Sequence, residues 1–324
     1  MSQEIPLFFQ TDESDLVIKK KGNLRLVLTT MRPHQWVKNL FIFAPLLFGK
    51  KLTDANAVWY SLLAFGVFCF LASGLYIFND WLDAEDDRAH PVKRYRPISS
   101  GMLPVPIALL GFGVLVIVAL WIASLIGAKF FLVALFYFII TLLYCLILKQ
   151  LIVLDGMTIA AGFVLRVVGG AIAVGVAASH WLIVCAFLLA LFLAFSKRRQ
   201  ELLTLSENAG RHRGVLNEYS VSYLGQVNNI LIGAAIVCYA LYTVAPETIE
   251  NFATENLIYG TVFVIYGMFR YMALTEIPEN GGNPSKMLLK DWPLLLTVVG
   301  WSIYNFIVIY NGSINALWVR FIAK

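Results

Sequence analysis

The sequence predicts an all-α, polytopic membrane protein. Three observations carry that expectation. Of its 324 residues, 59% are hydrophobic and only 14% are charged, with a mean hydropathy of +0.75. Soluble domains carry about 25% charged residues, so a chain this apolar has no aqueous way to cover its surface. Several apolar stretches reach the roughly 20 residues a helix needs to cross a bilayer. Finally, lysines and arginines gather in alternate connections, as the positive-inside rule requires.

Nine spans are expected. The first, 37–48, is short and is expected to begin earlier, near Val27. The second, 57–79, leads into an acidic run. Spans three and four, 104–127 and 129–148, meet at Gly127-Ala128 and should form a tight helical hairpin. The fifth, 151–177, is rich in small residues. Gly162, Gly169, Gly170 and Gly175 suit close helix packing. The remaining spans are 180–195, 226–245, 255–275 and 292–313. Residues 1–24 are polar, lack the apolar stretch of a secretory leader and are expected to stay cytoplasmic. Residues 25–324 then form one nine-helix membrane catalytic domain. With the amino terminus inside, 19 of the 25 basic residues fall on the cytoplasmic side, including Arg88, Lys93, Arg94, Arg96, Lys149, Lys197, Arg198, Arg199, Arg211, Arg213 and Lys286. Lys50, Lys51, Lys129, Arg320 and Lys324 fall outside, and Arg166 lies within a span. The four cysteines sit in spans without metal-ligand spacing and read as packing residues. The basic pI suits anionic lipid headgroups rather than nucleic acid.

The run Asn79-Asp80-Trp81-Leu82-Asp83-Ala84-Glu85-Asp86-Asp87 ends the second span. If the helix continues through it, Asp80, Asp83 and Asp87 fall within about 60° of one another. Glu85 points away and Asp86 sits off the edge. Three carboxylates on one face repel unless a cation lies among them. Mg²⁺ suits such a face, because it takes hard oxygen ligands and completes its shell with water and phosphate. Asn79 can orient a carboxylate, and Pro91 should end the helix. Lys93, Arg94 and Arg96 follow. A carboxylate face beside cations fits a diphosphate, since arginine forks phosphate oxygens. Solvated or topogenic charge is the plainer alternative for each cluster.

Other polar groups enter the membrane. Gln35, Lys38 and Asn39 open the first span, with Trp36 read as an interfacial anchor and His34 as structural. Tyr144, Lys149 and Asp155 bracket the turn between spans four and five. Arg166 lies about 20° from Asp155 on the same helix face but about 16 Å along the axis. Ionisable groups inside a span mark function by default; a packing pair is the alternative. Lys197-Arg198-Arg199-Gln200-Glu201 closes span six, where Glu201 is a second candidate acidic ligand.

Asn79-Asp80-x-x-Asp83-x-x-x-Asp87 resembles the first aspartate-rich motif of the UbiA superfamily of intramembrane prenyltransferases, and nine spans match that family. Arg32-x-x-Gln35-Trp36-x-Lys38-Asn39, Asp87-Arg88-x-His90-Pro91-x-Lys93-Arg94-x-Arg96-Pro97-Ile98, Tyr144 with Lys149 and Asp155, and Gly162-Phe163-Val164-Leu165-Arg166 resemble its decaprenyl-phosphate phosphoribosyltransferase branch. That resemblance implies a UbiA-like bundle in a bacterial inner membrane, with the site facing the cytoplasm. It implies Mg-dependent transfer of 5-phosphoribose from phosphoribosyl diphosphate to a polyprenyl phosphate, releasing diphosphate. Asp80, Asp83 and Asp87 would hold the metal, with Asp155 catalytic. Gln35, Lys38, Asn39, Asn79, Lys93, Arg94, Arg96, Tyr144, Lys149, Arg166, Lys197 and Arg198 would bind substrate. A homo-oligomer is compatible with it. Aromatic prenyltransferases carry a second Asp-x-x-x-Asp after span six, where this chain has Lys197-Arg198-Arg199-Gln200-Glu201. An aromatic prenyltransferase is the alternative reading and a transporter the third.

Overall fold

A computed structural model describes residues 22–89, 92–205, 214–276, 287 and 290–322. Most of the expected cytoplasmic segment 1–24, together with Pro91, Arg211, Arg213 and Lys286, lies outside them. Every regular element among the described residues is helical. Eight helices are long and apolar enough to cross a membrane. They are α3 (Ala55–Leu82), α5 (Val105–Ile126), α6 (Ala128–Leu146), α7 (Leu154–Val174), α8 (His180–Leu205), α9 (Val221–Val244), α11 (Thr261–Thr275) with the 3₁₀ turn before it, and α12 (Trp292–Ile322). The short helices are α1 (Asn23–Thr30), α2 (Ala44–Phe48), α4 (Ala84–Ala89) and α10 (Pro246–Phe252).

The first expected span is not among the eight. It is divided into α1, a 3₁₀ helix over Pro33–Phe43, and α2. The division falls at Arg32, whose φ of 54° and ψ of 60° are left-handed, with Pro33 starting the next helix. The 3₁₀ segment lies directly on α7. A Cβ on Gly170 would collide with the Ile42 carbonyl oxygen, so only glycine admits this approach.

Helix α3 organises one half of the bundle, packing against α5, α6, α7 and the 3₁₀ segment. Asp54 caps its start by accepting from the Asn56 and Ala57 amides, which satisfies donors that a helix leaves orphaned. Phe68, Leu71, Ala119, Phe130 and Tyr137 form its buried core. Helices α8, α9, α11 and α12 make the second half around Phe192, Phe195, Leu224, Met268 and Tyr271, joined to the first through α7 and α8. The α5–α6 hairpin turns at Gly127, as its sequence requires, with a φ of 145°. Outward side chains on these two helices, such as Leu110, Ile117, Trp121 and Leu132, are large, apolar and exposed, as a lipid-facing surface is.

The acidic run does not form one continuous helix. Helix α3 stops at Leu82, Asp83 leaves helical geometry, and α4 begins at Ala84. The Asp83 carboxylate has partners of its own, Lys149 and Asn79, apart from the arginines at Asp80 and Asp87.

Candidate functional site

The left-handed turn at Arg32 delivers its guanidinium to the end of α3. Arg32 Nη2 donates to Asp80 Oδ1 at 2.5 Å, and the group lies 5.2 Å over the Tyr76 ring. From the connection after α4, Arg96 Nη1 reaches both Asp80 Oδ1 at 3.0 Å and Asp87 Oδ2 at 2.5 Å. The two carboxylates are almost fully buried, their side chains 2% and 4% exposed, whereas Arg96 is about a quarter exposed. Their bonded oxygens are therefore at most 5.5 Å apart, the sum of the two contacts. Buried carboxylates at this spacing need a cation between them; here the guanidinium provides it.

Asp83 faces the next connection instead. Lys149 Nζ is 2.5 Å from its Oδ1, and Asn79 Nδ2 donates to its Oδ2 at 2.8 Å. Asn79 thus orients a carboxylate, as its place in the run suggests. Glu85 and Asp86 are exposed. Lys93 lies between this group and α8. Burial first, then the charge of Arg96, pulls its ammonium below the ordinary value, opposed by Asp87, Glu201 and Asp83.

A second polar group joins α6, α7, α8 and the segment before α9. Asp155, wholly buried, accepts from Arg198 Nε at 2.7 Å and from the Tyr219 hydroxyl at 2.7 Å. Arg198 also donates to Glu201 Oε2 at 2.9 Å and to the Tyr144 hydroxyl at 3.3 Å. Each guanidinium nitrogen therefore has a partner within the protein, and Arg198 braces this group. Burial, then the contact with Asp155, raises the Tyr219 phenol and keeps it protonated as the donor. Lys197 Nζ is 3.7 Å from Glu201 Oε1, and it lies within electrostatic reach of Lys38 and Tyr144. Lys38 in turn feels Arg32 and Arg166. Among the described residues it makes no ion pair and no side-chain hydrogen bond. Such an ammonium is available to an anion.

Not every expected residue meets at this mouth. Arg94 is exposed and folds onto its neighbour, donating to the Tyr95 hydroxyl at 2.7 Å. Arg166 is buried and donates to Asn39 Oδ1 at 2.6 Å, the Gly162 carbonyl at 2.7 Å and the Tyr137 hydroxyl at 2.8 Å. Asn39 reaches Cys69 as well. This pair pins the 3₁₀ segment to α7. Gln35 is half-buried, its backbone amide bonded to the Arg32 carbonyl at 2.8 Å. The Trp36 indole donates to Ser73 at 3.0 Å and packs against the cluster of Leu26, Met31 and Ile77. Sequence reasoning passed over Arg32 and Tyr219 as site residues. Arg32 was signalled by its place before proline and at the head of the Arg32-x-x-Gln35-Trp36-x-Lys38-Asn39 motif, and Tyr219 by nothing local.

Among the described residues no three His, Cys, Asp or Glu side chains converge on one cation position. The Asp80–Asp87 pair does fit Mg²⁺. The ion takes oxygen donors, is commonly held by one or two carboxylates, and leaves its other positions to water and phosphate.

The model of the UbiA prenyltransferase family matches residues 40–290. The decaprenyl-phosphate phosphoribosyltransferase of Mycolicibacterium smegmatis is 31% identical over 284 residues, covering 85% of this chain and 89% of that protein. The Corynebacterium glutamicum protein of the same name is 32% identical over 280 residues, covering 85% and 84%. A UbiA homolog from Archaeoglobus fulgidus, solved bound to GPP and Mg²⁺, aligns with a TM-score of 0.68 at 22% identity over 88% of this chain and 99% of that one. At that identity the last comparison establishes the fold.

Proposed function

Because the chain belongs to the UbiA prenyltransferase family, an enzyme family of the membrane, we propose that it transfers 5-phosphoribose from phosphoribosyl diphosphate to a polyprenyl phosphate. The names of the two relatives given above support a polyprenyl phosphate acceptor and a phosphoribosyl donor. The observation that carries the reading is the cationic second group. Where a second acidic cluster would bind a second metal, Lys197 stands instead, within electrostatic reach of Lys38, and Arg198 is held by Asp155 and Glu201. A donor bearing a 5-phosphate besides its diphosphate calls for such charge. The divided first segment completes a ninth crossing, with residues 1–24 and the mouth in the cytoplasm of a bacterial inner membrane.

The roles follow from the contacts. Asp80 and Asp87 would hold Mg²⁺, which when bound would neutralise the leaving diphosphate, while Asp83 holds Lys149 beside them. Arg32, Arg96, Lys93 and Lys149 lie around those carboxylates and take diphosphate oxygens. Lys38 and Lys197 take a phosphate monoester. The bond from ribose C1 to the diphosphate breaks while a lipid phosphate oxygen bonds to C1, which gains oxocarbenium character as in glycosyl transfer. The acceptor oxygen is already anionic, so it needs positioning rather than a base. The lipid tail leaves sideways into the bilayer.

The test is a partition assay. Purified protein with Mg²⁺, labelled phosphoribosyl diphosphate and a polyprenyl phosphate should carry label into the organic phase. Asp83→Asn should abolish that transfer while leaving the fold intact. No lipid-linked label at any chain length would sink the reading.

A further inference from the structure

The turn before α7 is strained. Val153 has a φ of 66° and a ψ of −44°, and the Leu154 amide bonds back to the Ile152 carbonyl at 2.7 Å. A β-branched residue in this region is a rare outlier, and such strain persists only where the surroundings enforce it. The enforcing group is visible. The Val153 amide donates to the Tyr219 hydroxyl at 2.7 Å, and that same hydroxyl donates to Asp155 Oδ1 at 2.7 Å. One oxygen thus ties the strained turn to the buried carboxylate. The Tyr219 ring is itself fixed, edge-on to Phe195 at 6.2 Å and stacked with Tyr223 at 6.1 Å. From Asp155 the contacts run on to Arg198 and from there to the Tyr144 hydroxyl and Glu201.

We propose that Tyr219 is a positioning residue for the transfer reaction: its hydroxyl sets Asp155, Asp155 sets Arg198, and Arg198 sets Tyr144 and Glu201 at the mouth. Tyr219 touches no substrate in this account. The same hydroxyl holds the strained turn at Val153, so its loss loosens the turn and the carboxylate together. The proposal rests on the phosphoribosyl-transfer reading only for the choice of reaction in which it is measured.

A double-mutant cycle tests it with two single-oxygen deletions, Tyr219→Phe and Tyr144→Phe, which leave both rings in place. Wild type and the three variants are reconstituted in lipid and assayed per folded protein. Each single change should lower kcat about tenfold, the worth of one hydrogen bond in a buried network, with the donor KM within about twofold. The double variant should be no slower than the slower single one, because both deletions break one relay. Losses that multiply to about a hundredfold would overturn the proposal, as would a Tyr219→Phe enzyme with wild-type kcat. A purely structural weakening would lower the folded fraction and leave kcat per folded molecule unchanged. If wild type transfers a prenyl group instead, the substrate reading falls, and the cycle is read on that reaction with the same two outcomes.

Discussion

Arg96→Ala probes the mouth most sharply, because one guanidinium nitrogen bridges two buried carboxylates. Asp80 keeps Arg32 after the change, whereas Asp87 loses its partner in the network. Stranding a buried charge costs about 3–5 kcal/mol. Arg96 is about a quarter exposed, so water offsets part of that loss and the low end, about 3 kcal/mol, applies. For a chain of this size that corresponds to roughly 6 °C in an apparent unfolding midpoint. Magnesium should then separate wild type from variant. In wild type an incoming ion must displace the guanidinium, while in the variant it meets an empty carboxylate pair. At a hundredfold excess over its dissociation constant, an ion bound only by the folded state adds about 2.7 kcal/mol. The assay is thermal unfolding in nanodiscs with EDTA or with Mg²⁺. The variant should lose about 6 °C in EDTA and recover most of it with Mg²⁺, and adding Asp87→Asn should remove the recovery. Equal losses in both buffers would refute the idea that Arg96 and the metal share one position.

Arg166→Ala should lower the unfolding midpoint by a similar amount, since Asn39 and Tyr137 lose a buried charged donor. The KM of the surviving folded enzyme should hold, and a tenfold rise in KM at an unchanged midpoint would make Arg166 a substrate ligand instead. Gly170→Ala should prevent a stable bundle, because its new methyl meets the Ile42 backbone carbonyl, which cannot rotate aside; monodispersity on size-exclusion chromatography reads this out. The Lys93 ammonium lies below its ordinary value of 10.5, so it loses its charge earlier as pH rises. The donor KM should therefore climb with pH before 10.5 is reached, and Lys93→Arg should flatten that limb in a pH–KM profile.

Much of this architecture is legible in the sequence because a bilayer permits few solutions. Eight of nine apolar stretches form membrane-length helices, and the hairpin at Gly127 needs no long-range information. The first stretch reads as a span by composition, yet its shape depends on contacts that composition does not contain. Arg32 takes a left-handed turn to meet Asp80, and Gly170, on another helix, lets the 3₁₀ backbone approach. The acidic run was legible as residue types on a face. The partner of Asp83 was not, since Lys149 lies 66 residues later in the chain. Arg166 and Arg198 look alike as ionisable groups in or at spans. Only their partners separate an anchor held by Asn39 and Tyr137 from a brace held by Asp155. Tyr219 lies 64 residues from Asp155, within a polar stretch whose local pattern reads as a loop.

The most direct test sets the two donor chemistries against each other in one preparation. Reconstituted protein with Mg²⁺ receives phosphoribosyl diphosphate with a polyprenyl phosphate, or a prenyl diphosphate with an aromatic acceptor, and products are read by mass spectrometry. The account predicts a lipid carrying phosphoribose with release of diphosphate in the first mixture, and no prenylated aromatic in the second. A prenylated aromatic without any ribosylated lipid would contradict it.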